Sequence, residues 1–226
     1  MRRVSLIVAG MLAIGTATAQ AQTQAPGSTD IGLSAAFTAG VAAGSAAGGM
    51  FGADFAWRLN LSWDVFVEGG RMLNTSTADM EAAANVVAQY LGSVSGQTAS
   101  SNVKQPVNYF AAGLRYKFPT TGRVQPYVAL GAGAGKVERT TSFLVNGSDV
   151  TAQLQAPPYG VLLGGDLSGS ETAALVTLGV GAQIGIGHQL FGRELFVDGS
   201  YRFGRIFLTA GGLNTNRVQF GIGARF

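Results

Sequence analysis

The last ten residues, Arg217 to Phe226 (RVQFGIGARF), decide the fold of this chain. In an extended strand, successive side chains point to opposite faces. One face then carries large apolar side chains and the terminal ring, at Val218, Phe220, Ile222, Ala224 and Phe226. The other face carries small, amide or charged positions, at Arg217, Gln219, Gly221, Gly223 and Arg225. This length and pattern suit a tilted transmembrane strand, with an ordinary edge strand as the alternative.

The N-terminus has the layout of a secretory signal. Arg2 and Arg3 precede an apolar run over residues 4–15, and small residues suited to cleavage follow over 17–21 (ATAQA). The apolar run is shorter than the roughly 20 residues that a membrane-spanning helix needs. We therefore expect a cleaved signal over residues 1–21, a short periplasmic leader over 22–28 and a mature domain over 29–226.

Charge content separates a membrane barrel from a soluble one, because alternation looks the same whether the apolar face meets a core or lipid. Charged residues make up 12% of the chain, against about 25% in ordinary soluble domains. That is too little charge to coat a water-facing exterior. Removing the signal's two arginines from the 15 Lys and Arg leaves 13 against 12 Asp and Glu, so the composition does not indicate nucleic-acid binding.

Eight alternating stretches separated by turn-like residues predict an all-β fold, an eight-stranded antiparallel transmembrane up-and-down β-barrel. They cover residues 29–40, 49–58, 63–73, 107–118, 125–139, 173–187, 194–208 and 216–226. The turns on one side are brief, whereas two connections on the other side are long, near 74–106 and 140–172. Short periplasmic turns and longer extracellular loops are typical of outer-membrane barrels. We therefore expect both termini in the periplasm and the long loops outside the cell.

The first long loop contains one helix-like stretch, residues 77–91 (TADMEAAANVVAQYL). Met80, Ala84, Val87 and Leu91 recur there at helical spacing. The stretch predicts a helix that caps the barrel mouth, or alternatively a mobile loop with transient helicity. We expect no second domain, because nothing else in the chain offers this segment a core.

Glycine is abundant, with 34 residues, and it alternates within predicted strands, as at Gly131, Gly133 and Gly135. In a small closed barrel such glycines let strands coil tightly and leave room for large inward side chains. The run over 131–136 is not a phosphate-binding loop, because Leu130 and Val137 occupy positions where that motif requires Gly and Ser or Thr.

Three segments together resemble a known family: QPYVALGAG over 125–133, ELFVDGSYRF over 194–203, and the closing RVQFGIGARF. In order and spacing they are similar to segments of the small Gram-negative outer-membrane β-barrel proteins of the OmpX/opacity type, related to the OmpA membrane domain. The resemblance implies the outer membrane and insertion by the barrel-assembly machinery through the C-terminal strand. It implies little about activity, because such proteins serve as adhesins, serum-resistance factors, structural proteins and narrow pores.

Alternation also assigns charged residues to the barrel interior, since a cation on the lipid face at mid-membrane costs about 2 to 4 kcal/mol. An eight-stranded barrel is just wide enough for side chains to fill it. We predict a paired ionic network that plugs the lumen, formed by Asp54, Glu68, Arg115, Asp198, Arg202 and Arg225. The alternative is a gated polar conduit.

Outward positions mark the two ends of the predicted barrel. Aromatic side chains at the periplasmic strand ends predict an interfacial girdle, made of Trp57, Trp63, Tyr116, Phe118 and Phe226. At the opposite strand ends, we hypothesise that Arg71, Lys136 and Arg205 contact lipopolysaccharide phosphates through charge-assisted hydrogen bonds. Solvated cations at the loop edge are the alternative.

The sequence offers little material for catalysis. Its single histidine, His188, falls in a predicted periplasmic turn, whereas barrel lipid A deacylases and proteases need theirs near the outer surface beside a Ser or Asp. One histidine and no cysteine cannot form a zinc cluster. We therefore predict no enzymatic activity, with no catalytic, metal-binding or cofactor-binding residues and no cofactor.

The leading interpretation is an integral outer-membrane protein with a structural or surface-interaction role, adhesin-like or resistance-like, exerted through its extracellular loops. A narrow porin-like channel for small solutes is the second, and a lipid-modifying outer-membrane enzyme the third. The expected partners are outer-membrane lipid and lipopolysaccharide, the barrel-assembly machinery, and an extracellular ligand that the residues do not identify.

Overall fold

Eight strands close into an antiparallel ring, which confirms the predicted barrel. The computed structural model describes residues 32–43, 47–190, 192–209 and 211–226. The expected signal, the leader and the first three residues of the expected first strand lie outside the described residues. The ring consists of β1 (Leu33–Ala43), β2 (Ala47–Arg58), β3 (Trp63–Met72), β5 (Val107–Lys117), β6 (Val124–Val145), β8 (Gly169–Leu190), β9 (Arg193–Leu208) and β10 (Gly211–Arg225).

The strands are staggered by ten residues around the ring. Cross-strand partners lead from the start of β1 round the barrel to the end of β1, through Leu33, Trp57, Val65, Leu114, Leu130, Leu178, Phe203, Asn216 and Ala43. Such a stagger requires tilted strands, at about 35 to 45° in barrels. Each strand can therefore cross the membrane obliquely.

Alternation along each strand separates an exposed outer wall from a buried interior. On β10, Phe220 is 60% exposed, whereas Arg217 is 1% exposed and Gln219 is also buried. The outer wall of the other strands is likewise lined by exposed large apolar side chains, among them Phe37, Phe51 and Leu130. The inward and outward assignment made from the closing ten residues therefore agrees with the structure.

The two ends of the barrel differ in their connections. At one end, here called the terminus end, β1 begins, β10 ends, and short turns join β2 to β3 and β5 to β6. At the other, here called the loop end, long connections leave β3 and β6. These connections contain α1 (Ala78–Ser95), β4 (Ala99–Lys104), β7 (Ser148–Asp149) and a 3-10 turn (Thr151–Gln153).

Helix α1 begins and ends at capping residues. The side chain of Thr77 accepts a hydrogen bond from the Met80 amide, and Gly96 adopts a left-handed conformation with φ of 66°. This Ser/Thr N-cap and glycine terminus are the usual end signals of helices. The helix runs four residues beyond the predicted end at Leu91, passing through Gly92 and ending before Gly96. Among the described residues, no helix is both long and apolar enough to cross a membrane.

The expectation that nothing else in the chain could give this helix a core is wrong. Met80, Ala84, Ala88 and Leu91 form the buried face of α1. They pack with buried side chains from the tip of β6 and the connection that follows it, namely Phe143, Val145, Val150, Leu154 and Leu167. The two long connections therefore fold together into one unit with its own apolar core, here called the loop-end subdomain.

The strand prediction was also incomplete at the loop end. β4 and β7 were not predicted, and β6 continues to Val145, six residues past the predicted end. The tip of β6 pairs with β4 on one side and with β7 on the other. The extended β6 thus carries the barrel wall upward into the loop-end subdomain.

Candidate functional sites: lumen, outer wall and loop-end subdomain

Inside the barrel, buried charges of both signs lie in contact near the terminus end. Nη2 of Arg115 donates to Oδ2 of Asp54 at 2.7 Å, and Nζ of Lys117 lies 2.7 Å from Oδ1 of Asp64. All four side chains are buried. The predicted network did not include this Asp64–Lys117 pair.

Glu68 is the acidic centre of the middle of the lumen. Its Oε1 accepts a hydrogen bond from Nη2 of Arg217 at 3.0 Å. Its Oε2 lies 3.7 Å from Nε of Arg202, an ion pair too long for a hydrogen bond. Arg217 was not among the predicted network residues, although its inward phase on the closing strand was the signal that could have found it.

The remaining predicted network residues, Asp198 and Arg225, have other partners. Oδ1 of Asp198 accepts a hydrogen bond from the Tyr127 hydroxyl at 3.0 Å, deep in the barrel. Arg225 lies at the terminus end, where its guanidinium donates to Glu194 at 3.1 Å and to Gln183 at 3.3 Å. Asp198 and Arg225 therefore make their hydrogen bonds to residues outside the predicted set.

The buried arginines also stack on aromatic rings. The guanidinium carbon of Arg115 lies 4.7 Å from the centre of the Tyr127 ring, and that of Arg217 lies 4.3 Å from the Tyr109 ring. Arg202 lies 5.2 Å from the Phe66 ring. Cation–π contacts of this kind strengthen when water is excluded. They compensate guanidinium N–H groups of these arginines that make no hydrogen bond.

The charged interior is balanced and almost full. Among the described residues, the buried charges are four acids and four bases: Asp54, Asp64, Glu68, Asp198, Arg115, Lys117, Arg202 and Arg217. A cavity of about 10 Å³ remains among them, lined by Asp54, Arg115, Asp198 and Arg202 with their neighbours. That volume holds about one water molecule, so little space is left among these side chains.

Inward glycines make room for the large side chains. A Cβ at Gly181 would lie 2.6 Å from the Tyr127 ring, and one at Gly179 would overlap Arg202. A Cβ at Gly131 would lie 3.0 Å from Phe66. These distances agree with the expectation that alternating glycines leave space for a few bulky inward residues.

A layer of apolar side chains, here called the apolar layer, fills the lumen at the loop end. It borders the charged residues directly, because Tyr109, one of its members, stacks on Arg217. Its buried members come from every strand of the barrel: Ala42, Met50, Met72, Val107, Tyr109, Ala111, Val137, Leu175, Ile206 and Leu213. The barrel interior therefore contains both buried charged pairs and a group of packed apolar side chains.

On the outer wall, the predicted aromatic girdle residues lie together at the terminus end. Trp57, Trp63, Phe118 and Phe226 are exposed. The Trp63 and Tyr116 rings lie 5.0 Å apart, and the Tyr116 and Phe118 rings 5.2 Å apart. Aromatic rings in such a band suit the boundary between lipid and water.

Polar residues interrupt the apolar outer wall at the loop end. Arg71, Asn108 and Lys136 are direct partners on adjacent strands and share the outward phase. Nζ of Lys136 pairs with Glu138 at 2.9 Å, and Nη1 of Arg205 donates to Asn214 at 3.1 Å.

These outward cations define the upper limit of an apolar belt. With a rise of about 3.3 Å per residue and the tilt imposed by the stagger, Arg71, Lys136 and Arg205 lie roughly 20 to 25 Å above the girdle. An outward apolar band about 25 Å tall is typical of transmembrane barrels. The belt between the two rows therefore has the height of a membrane interior.

The loop-end subdomain carries a polar groove between α1 and β4. Its volume is about 450 Å³, and it is lined by Glu81, Asn85, Ser100, Ser101, Asn102, Val103 and Leu144. The Ser101 hydroxyl donates to Oδ1 of Asn85 at 3.0 Å, and Ser76 donates to Glu81 at 2.9 Å. Amide, hydroxyl and carboxylate groups of this kind can bind the polar main chain of a partner.

Catalytic or metal sites gain no support from the geometry. Among the residues that the structure describes, no three His, Asp or Glu side chains are grouped as metal ligands would be. The side chain of His188 lies outside the described part of the chain. The absence of enzymatic activity stays a prediction.

Comparison with known families identifies the barrel. The model of the outer membrane protein beta-barrel domain matches residues 7–226, nearly the whole chain. This match confirms the family-level resemblance seen in the sequence. No curated protein sequence matches the chain.

Several solved structures are similar to this chain at low sequence identity. Neisserial surface protein A matches with a TM-score of 0.48 and 15% identity, covering 86% of this chain and 94% of its own. Ail, the attachment invasion locus protein of Yersinia pestis, matches with a TM-score of 0.45 and 14% identity, covering 86% and 97%. OprG of Pseudomonas aeruginosa matches with a TM-score of 0.43 and 12% identity, covering 86% and 95%.

Proposed function

We propose that this chain, which belongs to the outer membrane protein beta-barrel domain family, is an outer-membrane protein whose barrel is sealed against solutes. It acts by holding the loop-end subdomain at the cell surface, where that subdomain interacts with partners outside the cell.

The observation that carries this proposal is the apolar layer beneath the loop-end subdomain. A continuous aqueous path would have to separate Met50, Met72, Leu175 and Ile206, which are all buried in that layer. It would also have to part the ion pairs beside it. A sealed barrel that supports a separately packed subdomain favours surface interaction over passage of small solutes.

The proposed orientation places the loop end outside the cell and both termini in the periplasm. It is supported by the short turns at the terminus end, since outer-membrane barrels have short periplasmic turns and longer extracellular loops. It also puts the row of Arg71, Lys136 and Arg205 at the level of the outer headgroups. We propose that these cations contact lipopolysaccharide phosphates.

The C-terminal strand has a further proposed role during assembly. β10 pairs with β1 and so closes the ring, and the Phe226 amide donates to the Leu33 carbonyl at 2.7 Å. We propose that the barrel-assembly machinery recognises β10 before this closure. The exposed apolar face of β10 is the feature available for that recognition.

Cysteine labelling on intact cells tests the orientation, because the chain contains no cysteine. Ser148 in the loop-end subdomain and Thr121 in the turn between β5 and β6 are both exposed. A membrane-impermeant maleimide should label Ser148→Cys on intact cells and Thr121→Cys only after the outer membrane is opened. Labelling in the reverse order would overturn the proposed presentation of the subdomain at the surface.

A further inference from the structure

We propose that the free edge of β4 pairs with the same edge of a second copy of this chain, held in a facing membrane. The proposal names a partner for the loop-end subdomain. It rests on the outward orientation proposed above, which the cysteine labelling of intact cells tests separately.

One edge of β4 has unpaired main-chain groups. The Asn146 amide donates to the Thr98 carbonyl at 2.8 Å, and Ser100 and Asn102 lie opposite Leu144 and Ser142 of β6. Hydrogen-bonded and non-bonded positions alternate along an antiparallel pair. The even-numbered residues of β4 therefore bond to β6.

The odd-numbered residues Ala99, Ser101 and Val103 consequently direct their amides and carbonyls away from β6. The alternation on β6 itself agrees, because the Phe143 amide donates to Thr151 and its carbonyl accepts from Val150, both on the β7 side. Within the described chain, no neighbour on the outer side of β4 pairs with this edge.

This edge lacks the features that usually prevent pairing. Natural edge strands are blocked by proline, bulges or inward charges, whereas β4 reads ASSNVK and has its only charge at Lys104. The polar groove of about 450 Å³ runs along the edge and leaves it accessible. Ser100 and Asn102 are exposed beside it.

The edge is complementary to itself. A two-fold axis through Ser101 sets Ser101 against its own copy, Ala99 against Val103, and Ser100 against Asn102. Lys104 then faces Thr98, so no like charges oppose each other. Small and polar pairs of this kind fit an added antiparallel strand.

Helix α1 extends this symmetry across the groove. Glu81, Asn85 and Gln89 are spaced four residues apart and so share one side of the helix. The same two-fold axis brings two antiparallel helices side by side, with Asn85 near its copy and Glu81 near Gln89. Oδ1 of Asn85 already accepts from Ser101, which leaves the Asn85 amide hydrogens to donate across the axis.

The geometry decides where the second copy must be. β4 is antiparallel to the tip of β6, and β6 runs without interruption from the barrel wall into the subdomain. A two-fold axis perpendicular to this sheet reverses the direction of β6 and therefore of the whole barrel. Two such barrels point toward each other and cannot share one membrane, so the contact links two membranes.

Charge-swapped variants in proteoliposomes test the pairing. Full-length protein is reconstituted into two liposome populations with donor and acceptor dyes, and clustering is followed by energy transfer and light scattering. Because Ser100 faces Asn102 across the axis, S100D/N102D sets carboxylates against carboxylates, and S100K/N102K sets ammonium groups against each other. Protease digestion of the exposed loops measures the outward-facing fraction in every sample.

We expect wild-type liposomes to cluster and each charged variant alone to cluster about tenfold more slowly, because like charges directly opposite destabilise a strand pair. Mixing Asp liposomes with Lys liposomes should restore clustering. The control Q153D/Q155D, exposed on the β7 side of the sheet, should behave as wild type.

Three outcomes would overturn the proposal: no wild-type clustering at a confirmed outward orientation, unchanged clustering by both charged variants, or a mixture that fails to recover. If the edge of β4 instead binds an extended peptide of another protein, wild-type liposomes will not cluster. Failure of the proposed orientation would appear instead in the cysteine labelling of intact cells, because the protease digestion reports only the orientation in the liposomes.

Discussion

Glu68 and Arg217 lie 149 positions apart in the chain, yet Nη2 of Arg217 donates to Oε1 of Glu68 at 3.0 Å inside the barrel. The pair joins β3 to β10 across the lumen, with neither side chain reaching water. Charges buried so deeply are costly unless paired. The contact therefore fixes which side of each strand faces inward, since a shift by one residue would move both charges onto the lipid face.

Removing the positive partner of this pair should destabilise the barrel strongly. In R217M, Glu68 keeps only the 3.7 Å contact with Arg202. Breaking a buried ion pair from one side costs about 3 to 5 kcal/mol. Urea unfolding of the reconstituted protein, followed by gel mobility without boiling, measures the change.

The matched control is R225M at the terminus end. Arg225 pairs with Glu194, whose side chain is 48% exposed, and exposed pairs contribute only about 0 to 1 kcal/mol. Equal losses in both variants would contradict the special role assigned to the buried pair.

Gly181 should tolerate no side chain, whereas Gly199 should. A Cβ at Gly181 would lie 2.6 Å from the Tyr127 ring, while one at Gly199 would make an ordinary 3.7 Å contact with Phe220 on the outer wall. G181V should cost about 1 to 3 kcal/mol through overpacking and weaken the bond from Tyr127 to Asp198. G199V should remain near wild type in the same urea titration. If G181V unfolds like wild type, the packing described for the lumen is incorrect.

The loop-end subdomain should open without unfolding the barrel. Leu91 is completely buried in its core, and replacing such a leucine by alanine costs about 2 to 5 kcal/mol. L91A should therefore be cut faster by a protease within the long connections, while the barrel keeps its mobility on an unboiled gel. V94A, on the exposed side of α1, should be cut at the wild-type rate. Simultaneous loss of barrel and subdomain would show that the two cores are not separate.

The outward cations should bind lipopolysaccharide. Replacing Arg71, Lys136 and Arg205 with glutamine removes the positive charges at the upper edge of the apolar belt. We expect less lipopolysaccharide to co-purify with the triple variant, as measured by phosphate content after detergent extraction. K104Q removes an exposed cation from β4 and should have no effect. If the triple variant co-purifies with as much lipopolysaccharide as the wild type, these three cations are not its binding site.

The barrel could be predicted from the sequence because its wall obeys one simple rule. Successive side chains of every strand face lipid and lumen in turn, so the hydrophobicity of each segment has a period of two residues. The short turns and the N-cap of α1 at Thr77 have local signals as well. Inward charges such as Asp54 and Arg115 followed from the same rule, because lipid excludes them.

Contacts between distant segments could not be predicted in the same way. Phe143 and Val145 give α1 its core, but they lie some 60 residues from Met80, and no periodicity relates the two segments. Partner choice inside the lumen also depends on side-chain reach across the ring, so alternation placed Arg217 inward without pairing it with Glu68. β4 was missed because ASSNVK contains only two apolar residues, Ala99 and Val103, and so resembles a loop.

Single-channel recording in planar lipid bilayers tests the sealed barrel most directly. We expect the reconstituted wild-type protein to produce no conductance steps, because the apolar layer and the ion pairs beside it are proposed to close the lumen. Reproducible conductance steps from protein whose fold is verified by gel mobility would contradict it.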